Sequence, residues 1–132
     1  MERAVIKKSP FAKSISGWGG YPIQDANVIT PLSLSAFNTQ LEQHSSLIAR
    51  GMGRSYGDSA NAEVVLETTY CDHFIAFDVT TGLLSAEAGV TLRDILKVTV
   101  KHGWFLPVTP GTSFVTLGGA IASDVHGKNH HI

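Results

Sequence analysis

Two glycine-rich stretches carry the residues best able to do chemistry. The first is Arg50-Gly51-Met52-Gly53-Arg54-Ser55-Tyr56-Gly57-Asp58, which follows the short apolar run Leu47-Ile48-Ala49. Its glycines let the backbone take positive φ and approach a ligand closely. Successive N–H groups in such a turn can converge on an anion as a nest. Two familiar phosphate motifs are excluded. A dinucleotide fingerprint would need a further glycine at Tyr56 and a helix directly afterwards, and a P-loop would need Gly-Lys-Ser/Thr. By itself the loop is also compatible with a tight connection and nothing more.

The second stretch runs from Pro110-Gly111-Thr112-Ser113 through Thr116-Leu117-Gly118-Gly119 to Ser123-Asp124-Val125-His126-Gly127. Ala120-Ile121-Ala122 continues it as a short helix. Gly118-Gly119 at that helix start is expected to leave unpaired N–H groups open to a ligand, and such a terminus favours phosphate. Thr112, Ser113 and Thr116 can add hydroxyl donors. The alternative is a small-residue helix packed closely on its neighbour. Two glycine-rich anion sites in one domain suggest a ligand with a pyrophosphate and a long body.

The intervening chain supplies the elements that position these stretches. Asn27-Val28-Ile29-Thr30 reads as a strand closed by Pro31, which has no N–H to donate. Ser33 is an N-cap, and Leu34, Phe37 and Leu41 mark one helical face. With Leu47-Ile48-Ala49 this makes a βαβ unit whose second strand is parallel to its first. The first glycine loop then lies at a strand's carboxyl end, where open α/β sheets bind ligands.

Glu63-Val64-Val65-Leu66-Glu67 and Phe74-Ile75-Ala76-Phe77-Asp78 read as strands. The turn Thr80-Thr81-Gly82 makes the latter a hairpin with Leu83 to Gly89. Thr91-Leu92-Arg93-Asp94 resembles a capping box. Leu92, Ile95, Leu96 and Val100 are the expected apolar stripe, and His102-Gly103 is the stop. Trp104-Phe105-Leu106-Pro107-Val108 reads as a short buried strand or extended arm. Ser14 to Pro22, with Trp18 and Tyr21 among glycines, is expected to staple an N-terminal arm (1–26) onto a body (27–132).

A chain of 132 residues is one domain's worth and buries about two-thirds of its unfolded surface. A net charge of −1 gives no electrostatic case for nucleic acid or anionic membrane. Cys71 is the only cysteine, so no intrachain disulfide forms and a reducing compartment is compatible. The apolar runs are too short for a membrane span, and residues 1–8 lack the core of a secretory signal. The end at Gly127-Lys128-Asn129-His130-His131-Ile132 reads as a cut within a longer sequence. His126, His130 and His131 could meet a zinc, but no carboxylate lies among them and the cysteine is distant; no metal is expected.

The order and spacing of these motifs resemble the FAD-binding domain of the vanillyl-alcohol oxidase/p-cresol methylhydroxylase superfamily. Ser16-Gly17-Trp18-Gly19 and Asp124-Val125-His126-Gly127-Lys128-Asn129-His130-His131 narrow the resemblance to its decaprenylphosphoryl-β-D-ribose 2′-oxidase-like branch. It covers the chain from about Ile15 onward. The resemblance implies an α+β fold: the N-terminal part of a p-cresol methylhydroxylase-type FAD-binding domain, with a small βαβ subdomain and the start of a second, mixed or antiparallel one.

Arg50, Gly51, Met52, Gly53, Arg54, Ser55, Tyr56, Gly57 and Asp58 would wrap the FAD pyrophosphate. Gly111, Thr112, Thr116, Gly118 and Gly119 would contact the flavin and its linker. Ser123, Val125, His126 and Gly127 would pass the isoalloxazine, with His126 nearest the reacting face. Relatives with covalent flavin carry a histidine at the position of Arg54, so the FAD is expected to be non-covalent. The implied reaction is hydride transfer from a sugar or alcohol C–H to flavin N5 in the intact protein, with a partner reductase if the product is epimerised. The rest of the FAD site and the substrate domain are expected outside this sequence, so the piece alone is expected to retain FAD poorly and to be inactive. A cytoplasmic location follows, membrane-associated where the substrate is lipid-linked. The rival readings are a non-catalytic remnant that self-associates and a nucleotide-sugar binder without flavin.

Overall fold

A computed structural model of the chain describes residues 12–128. Strands β1 (Ala12–Ser16), β2 (Ile23–Ile29), β3 (Ile48–Arg50) and β4 (Val64–Glu67) form one sheet in the order β1-β2-β4-β3. β1 is antiparallel to β2, whereas β2 and β3 each run parallel to β4. The expected parallel βαβ unit is therefore present, but its two strands are not neighbours. β4 inserts between them and supplies the sheet's buried centre, with Val65 and Leu66 at 0% exposure. A central parallel strand buried on both faces reads as a continuous apolar run, as Val64-Val65-Leu66 does.

Helix α1 (Leu34–Gln43) begins at Ser33, whose Oγ accepts the Ala36 N–H at 3.1 Å. Its stripe packs less than expected: Leu34 and Leu41 are exposed and Phe37 is half-buried. The arm expected over 1–26 is, in its described part, β1, a glycine turn and the start of β2. Main-chain pairing holds it to the sheet, and Trp18 and Tyr21 stay largely exposed.

The second sheet is the expected hairpin, β5 (Phe74–Phe77) against β6 (Leu84–Ala86), antiparallel with a bulge between Phe74 and Ala76. Asp78 Oδ1 accepts the N–H groups of Thr80 and Thr81 at 2.8 and 3.3 Å, which closes the turn. Helix α2 (Leu92–Thr99) has Thr91 as N-cap, and Asp94 answers it through a 2.5 Å hydroxyl–carboxylate bond. Leu92, Ile95 and Thr99 are its buried face. Val100 is 52% exposed because the helix tightens into a 3-10 turn (Val100–His102) before Gly103, at φ 81°, ends it. Val90, Leu92 and Ile95 form the core here, covered by Leu84, Leu106, Val115 and Leu117.

Residues 104–108 are neither strand nor buried. Trp104 and Phe105 are 37% and 62% exposed. Trp104 Nε1 donates to the Val79 carbonyl at 2.8 Å, and its ring lies where a Cβ on Gly82 would stand. The segment is an extended arm folded over the hairpin turn.

Candidate functional site

The first glycine loop leaves the carboxyl end of β3, as expected, with Gly53 and Gly57 at φ 63° and 58°. Three of its carbonyls are engaged within the chain. Ser55 O accepts the Trp18 N–H at 2.8 Å, Tyr56 O accepts the Ser59 hydroxyl at 2.9 Å, and Asp58 O accepts the Asn61 N–H at 2.8 Å. Among the described residues, no main-chain N–H of residues 51–58 donates to a protein acceptor. The loop is thus a main-chain surface in which three carbonyls are bonded within the chain and, among the described residues, no N–H is. Such a surface suits an anion.

Arg50 braces the loop from behind. Its Nη1 donates to Ala60 O at 3.1 Å and to Asn61 Oδ1 at 2.9 Å, and Nη2 donates to Ser16 O at 2.6 Å. Burial pushes the Arg50 pKa below its ordinary value, partly offset by the Glu67 charge. A Cβ on Gly53 would run into this guanidinium. The Arg50 side chain is therefore committed inward. Arg54 is exposed instead, its guanidinium 4.8 Å from the centre of the Trp18 ring. Tyr56 is 80% exposed. Met52 lines both of two open clefts. One, of about 500 Å³, is shared with Thr69, Phe74, Gly89 and Thr91. The other, of about 720 Å³, is shared with Thr30, Leu32, Glu67 and Tyr70.

The second stretch differs from its expectation at the helix start. Helix α3 (Leu117–Ala122) has no free N–H cluster: Leu117 N donates to Val90 O at 2.7 Å, Gly118 N to Ala88 O at 2.9 Å, and Gly119 N to Thr116 Oγ1 at 3.1 Å. The Thr116 hydroxyl is the cap, on a residue 2% exposed, and not an outward donor. Gly118 lies so close to Ala88 that a Cβ would overlap it. Here the alternative, a small-residue helix packed on its neighbour, describes the geometry. Sequence could not separate the two, because Gly-Gly opens a helix to a ligand and to a neighbouring chain alike.

The two stretches nevertheless meet. Gly51 packs its Cα face on the Thr116 side chain, with no room for a Cβ. Thr112 Oγ1 accepts the Phe114 N–H at 3.2 Å, and Gly111 is exposed. After α3, the N–H groups of Ser123 and Val125 bond back to Gly119 O and Ala120 O, and Asp124 takes φ 44°. Lys128 N donates to Thr109 O at 3.2 Å, which ties the tail beside this stretch. His126 is exposed and Gly127 buried. His130 and His131 lie outside the described residues.

Sequence reasoning missed the backing of the loop by the turn after β1. A Cβ on Gly17 would overlap the carbonyl oxygens of both Ser55 and Gly57. The signal was a buried glycine beside an aromatic, read as an arm staple.

A sheet with a glycine loop at its carboxyl edge, in contact with a second glycine segment beside a hairpin subdomain, defines an α+β domain whose main-chain donors could face an anion. Residues 33–132 match the family described as FAD binding domain, and the chain belongs to that family. It is 38% identical over 126 residues to decaprenylphosphoryl-beta-D-ribose oxidase of Mycolicibacterium smegmatis, which covers 90% of this chain and 27% of that protein. L-gulonolactone oxidase 5 of Arabidopsis thaliana is 23% identical over 83% of this chain and 18% of its own length. The chain thus spans about a quarter or less of these curated relatives. Among solved structures, cholesterol oxidase from Brevibacterium sterolicum superposes with a TM-score of 0.70 at 22% identity, over 89% of this chain and 24% of the other. Aclacinomycin oxidoreductase gives 0.60 at 17% identity, over 84% and 24%. The expected α+β fold of p-cresol methylhydroxylase-type FAD-linked oxidases is the one observed.

Proposed function

We propose that this chain holds FAD non-covalently for a flavin-dependent oxidation of a sugar or alcohol C–OH group. The observation that carries the reading is the run of N–H groups over residues 51–58 that bond to no acceptor among the described residues, with the Ser55, Tyr56 and Asp58 carbonyls held within the chain. An FAD pyrophosphate fits this surface, since charge-assisted bonds from main-chain N–H groups to an anion are among the stronger ones. Gly51, Met52, Gly53, Ser55, Tyr56, Gly57 and Asp58 would bind it through their main chain. Arg50 would hold the loop from behind, and Arg54 would face the ligand from the rim. Thr116, Gly118 and Gly119 would set the distance between the two stretches, while Gly111 and Thr112 line the flavin side. Ser123, Val125, His126 and Gly127 would flank the ring.

FAD, when bound, supplies the hydride acceptor. The chain's own part would be placement: main-chain donors for the phosphates, with the exposed His126 flanking the ring. A sugar hydroxyl as the oxidised group is supported by the name of the M. smegmatis relative, and a lipid-linked form of the sugar would draw the protein to the membrane surface. The test is reconstitution of the intact protein with FAD, followed by desalting and a visible spectrum. Retained flavin bands are expected there, and at most weak retention by residues 1–132 alone. A protein that stays colourless yet binds a nucleotide-sugar would replace this reading with the rival one.

A further inference from the structure

We infer that the Gly17-Trp18 turn is the positioning device that turns the anion loop's N–H groups outward. This inference rests on the anion-binding reading proposed above. In a trans peptide the C=O and the following N–H point in opposite directions, and the one cis bond among the described residues is Tyr21-Pro22. Ser55 O is held by the Trp18 N–H at 2.8 Å, so the Tyr56 N–H faces away from the turn. Gly57 O lies against Gly17, where a Cβ would overlap it, so the Asp58 N–H faces away likewise. Tyr56 O is bonded to Ser59 Oγ on the loop's own side, which leaves the Gly57 N–H opposed to that bond.

Two side-chain contacts fix the turn in place. Arg50 Nη2 holds Ser16 O at 2.6 Å, and the Trp18 ring lies under the Arg54 guanidinium at 4.8 Å. A loop free to flip these peptides would present carbonyls to an anion as readily as N–H groups. The turn removes that freedom before the ligand arrives, and preorganisation of this kind raises affinity without adding a contact. The trimmed residue at position 17 and the aromatic at 18 thereby serve the anion without touching it.

The test uses ¹⁵N-labelled protein titrated separately with inorganic pyrophosphate and with FAD. In the parent, the amide resonances of Tyr56, Gly57 and Asp58 are expected to move on adding pyrophosphate. Gly17→Ala should weaken that response about tenfold, in line with the loss of one charge-assisted bond, while the α2 amides keep their positions. Trp18→Ala should weaken it about two- to fivefold, the size of an exposed cation–π contact, and Trp18→Phe should restore most of it. Were Gly17→Ala not to fold, the contrast between Ala and Phe at position 18 carries the same test. A folded Gly17→Ala protein with an unchanged response overturns the inference, as does equal weakening by Ala and Phe at position 18. FAD binding with unmoved Tyr56, Gly57 and Asp58 amides overturns it too, and leaves the flavin reading standing. A pyrophosphate response without FAD binding does the reverse.

Discussion

Gly51 and Thr116 are in contact across the two glycine-rich stretches, with the glycine Cα seated on the threonine side chain. The same Thr116 hydroxyl caps α3 by accepting the Gly119 N–H. One side chain thus fixes both the start of a helix and the root of the anion loop, which couples the two segments mechanically.

Gly51→Ala tests that coupling. Its Cβ would overlap Thr116 Oγ1 and Cγ2, and overpacking of this kind costs about 1–3 kcal/mol. Thr116→Ala removes both overlapped atoms along with the cap, so the double substitution should be less destabilised than the sum of the singles. Urea unfolding of the four proteins measures this; strict additivity would mean that the contact transmits no strain.

Gly119→Val should lower stability and leave the ligand's direct contacts intact, because the Gly119 N–H is already bonded to Thr116. A Cβ there would press on Thr116 Oγ1, and loss of an N-cap costs about 0.5–2 kcal/mol. Gly53→Val, by contrast, adds a branched side chain at φ 63° against the Arg50 guanidinium. Loss of one charge-assisted bond corresponds to about a tenfold or greater loss of FAD affinity. Calorimetry paired with FAD titration separates the two effects, and equal loss of affinity in both variants contradicts the assignment.

Any bound flavin should leave with acid. The loop over residues 50–58 carries no histidine or cysteine, and the Arg54 guanidinium stacked on Trp18 is no nucleophile for a flavin. After acid precipitation the yellow colour is expected in the supernatant; colour in the pellet refutes it.

The hairpin should be tightest between the Glu87 and His73 titrations. His73 Nδ1 lies 2.7 Å from Glu87 Oε2, and the His73 N–H donates to the same oxygen at 3.0 Å. The side-chain bond to Glu87 raises the His73 pKa above its ordinary 6.5, and the bonds from His73 lower that of Glu87 below its ordinary 4.5. With the histidine pKa raised, its contribution is full below about pH 6.5 and fades as pH rises through the folded value. With the glutamate pKa lowered, its contribution is full above about pH 4.5 and fades as pH falls through the folded value. Amide protection in β5 and β6, taken relative to the intrinsic exchange rate at each pH, should therefore be greatest between these limits, and Glu87→Gln should flatten the profile. Protection that does not vary with pH in the parent would remove the clasp.

Much of the fold was legible because it is written in local rules. Ser33 and Thr91 announce their helices as caps, Gly103 ends one, and Val64-Val65-Leu66 marks a strand. The first glycine loop was legible for the same reason: closely spaced glycines permit a conformation that few other residues take, wherever they occur. The placement of β4 between β2 and β3 was not, since pairing order depends on which apolar faces meet and not on sequence neighbours. Nor could the N–H groups at Gly118 and Gly119 be known as paired, because their acceptors, Ala88 O and Thr116 Oγ1, are chosen by packing. Sequence alone determined that residues 51–58 could present a main-chain anion site. Only the tertiary structure decided that they do so outward, because the carbonyls that must point the other way are held by Trp18, Ser59 and Asn61 and backed by Gly17.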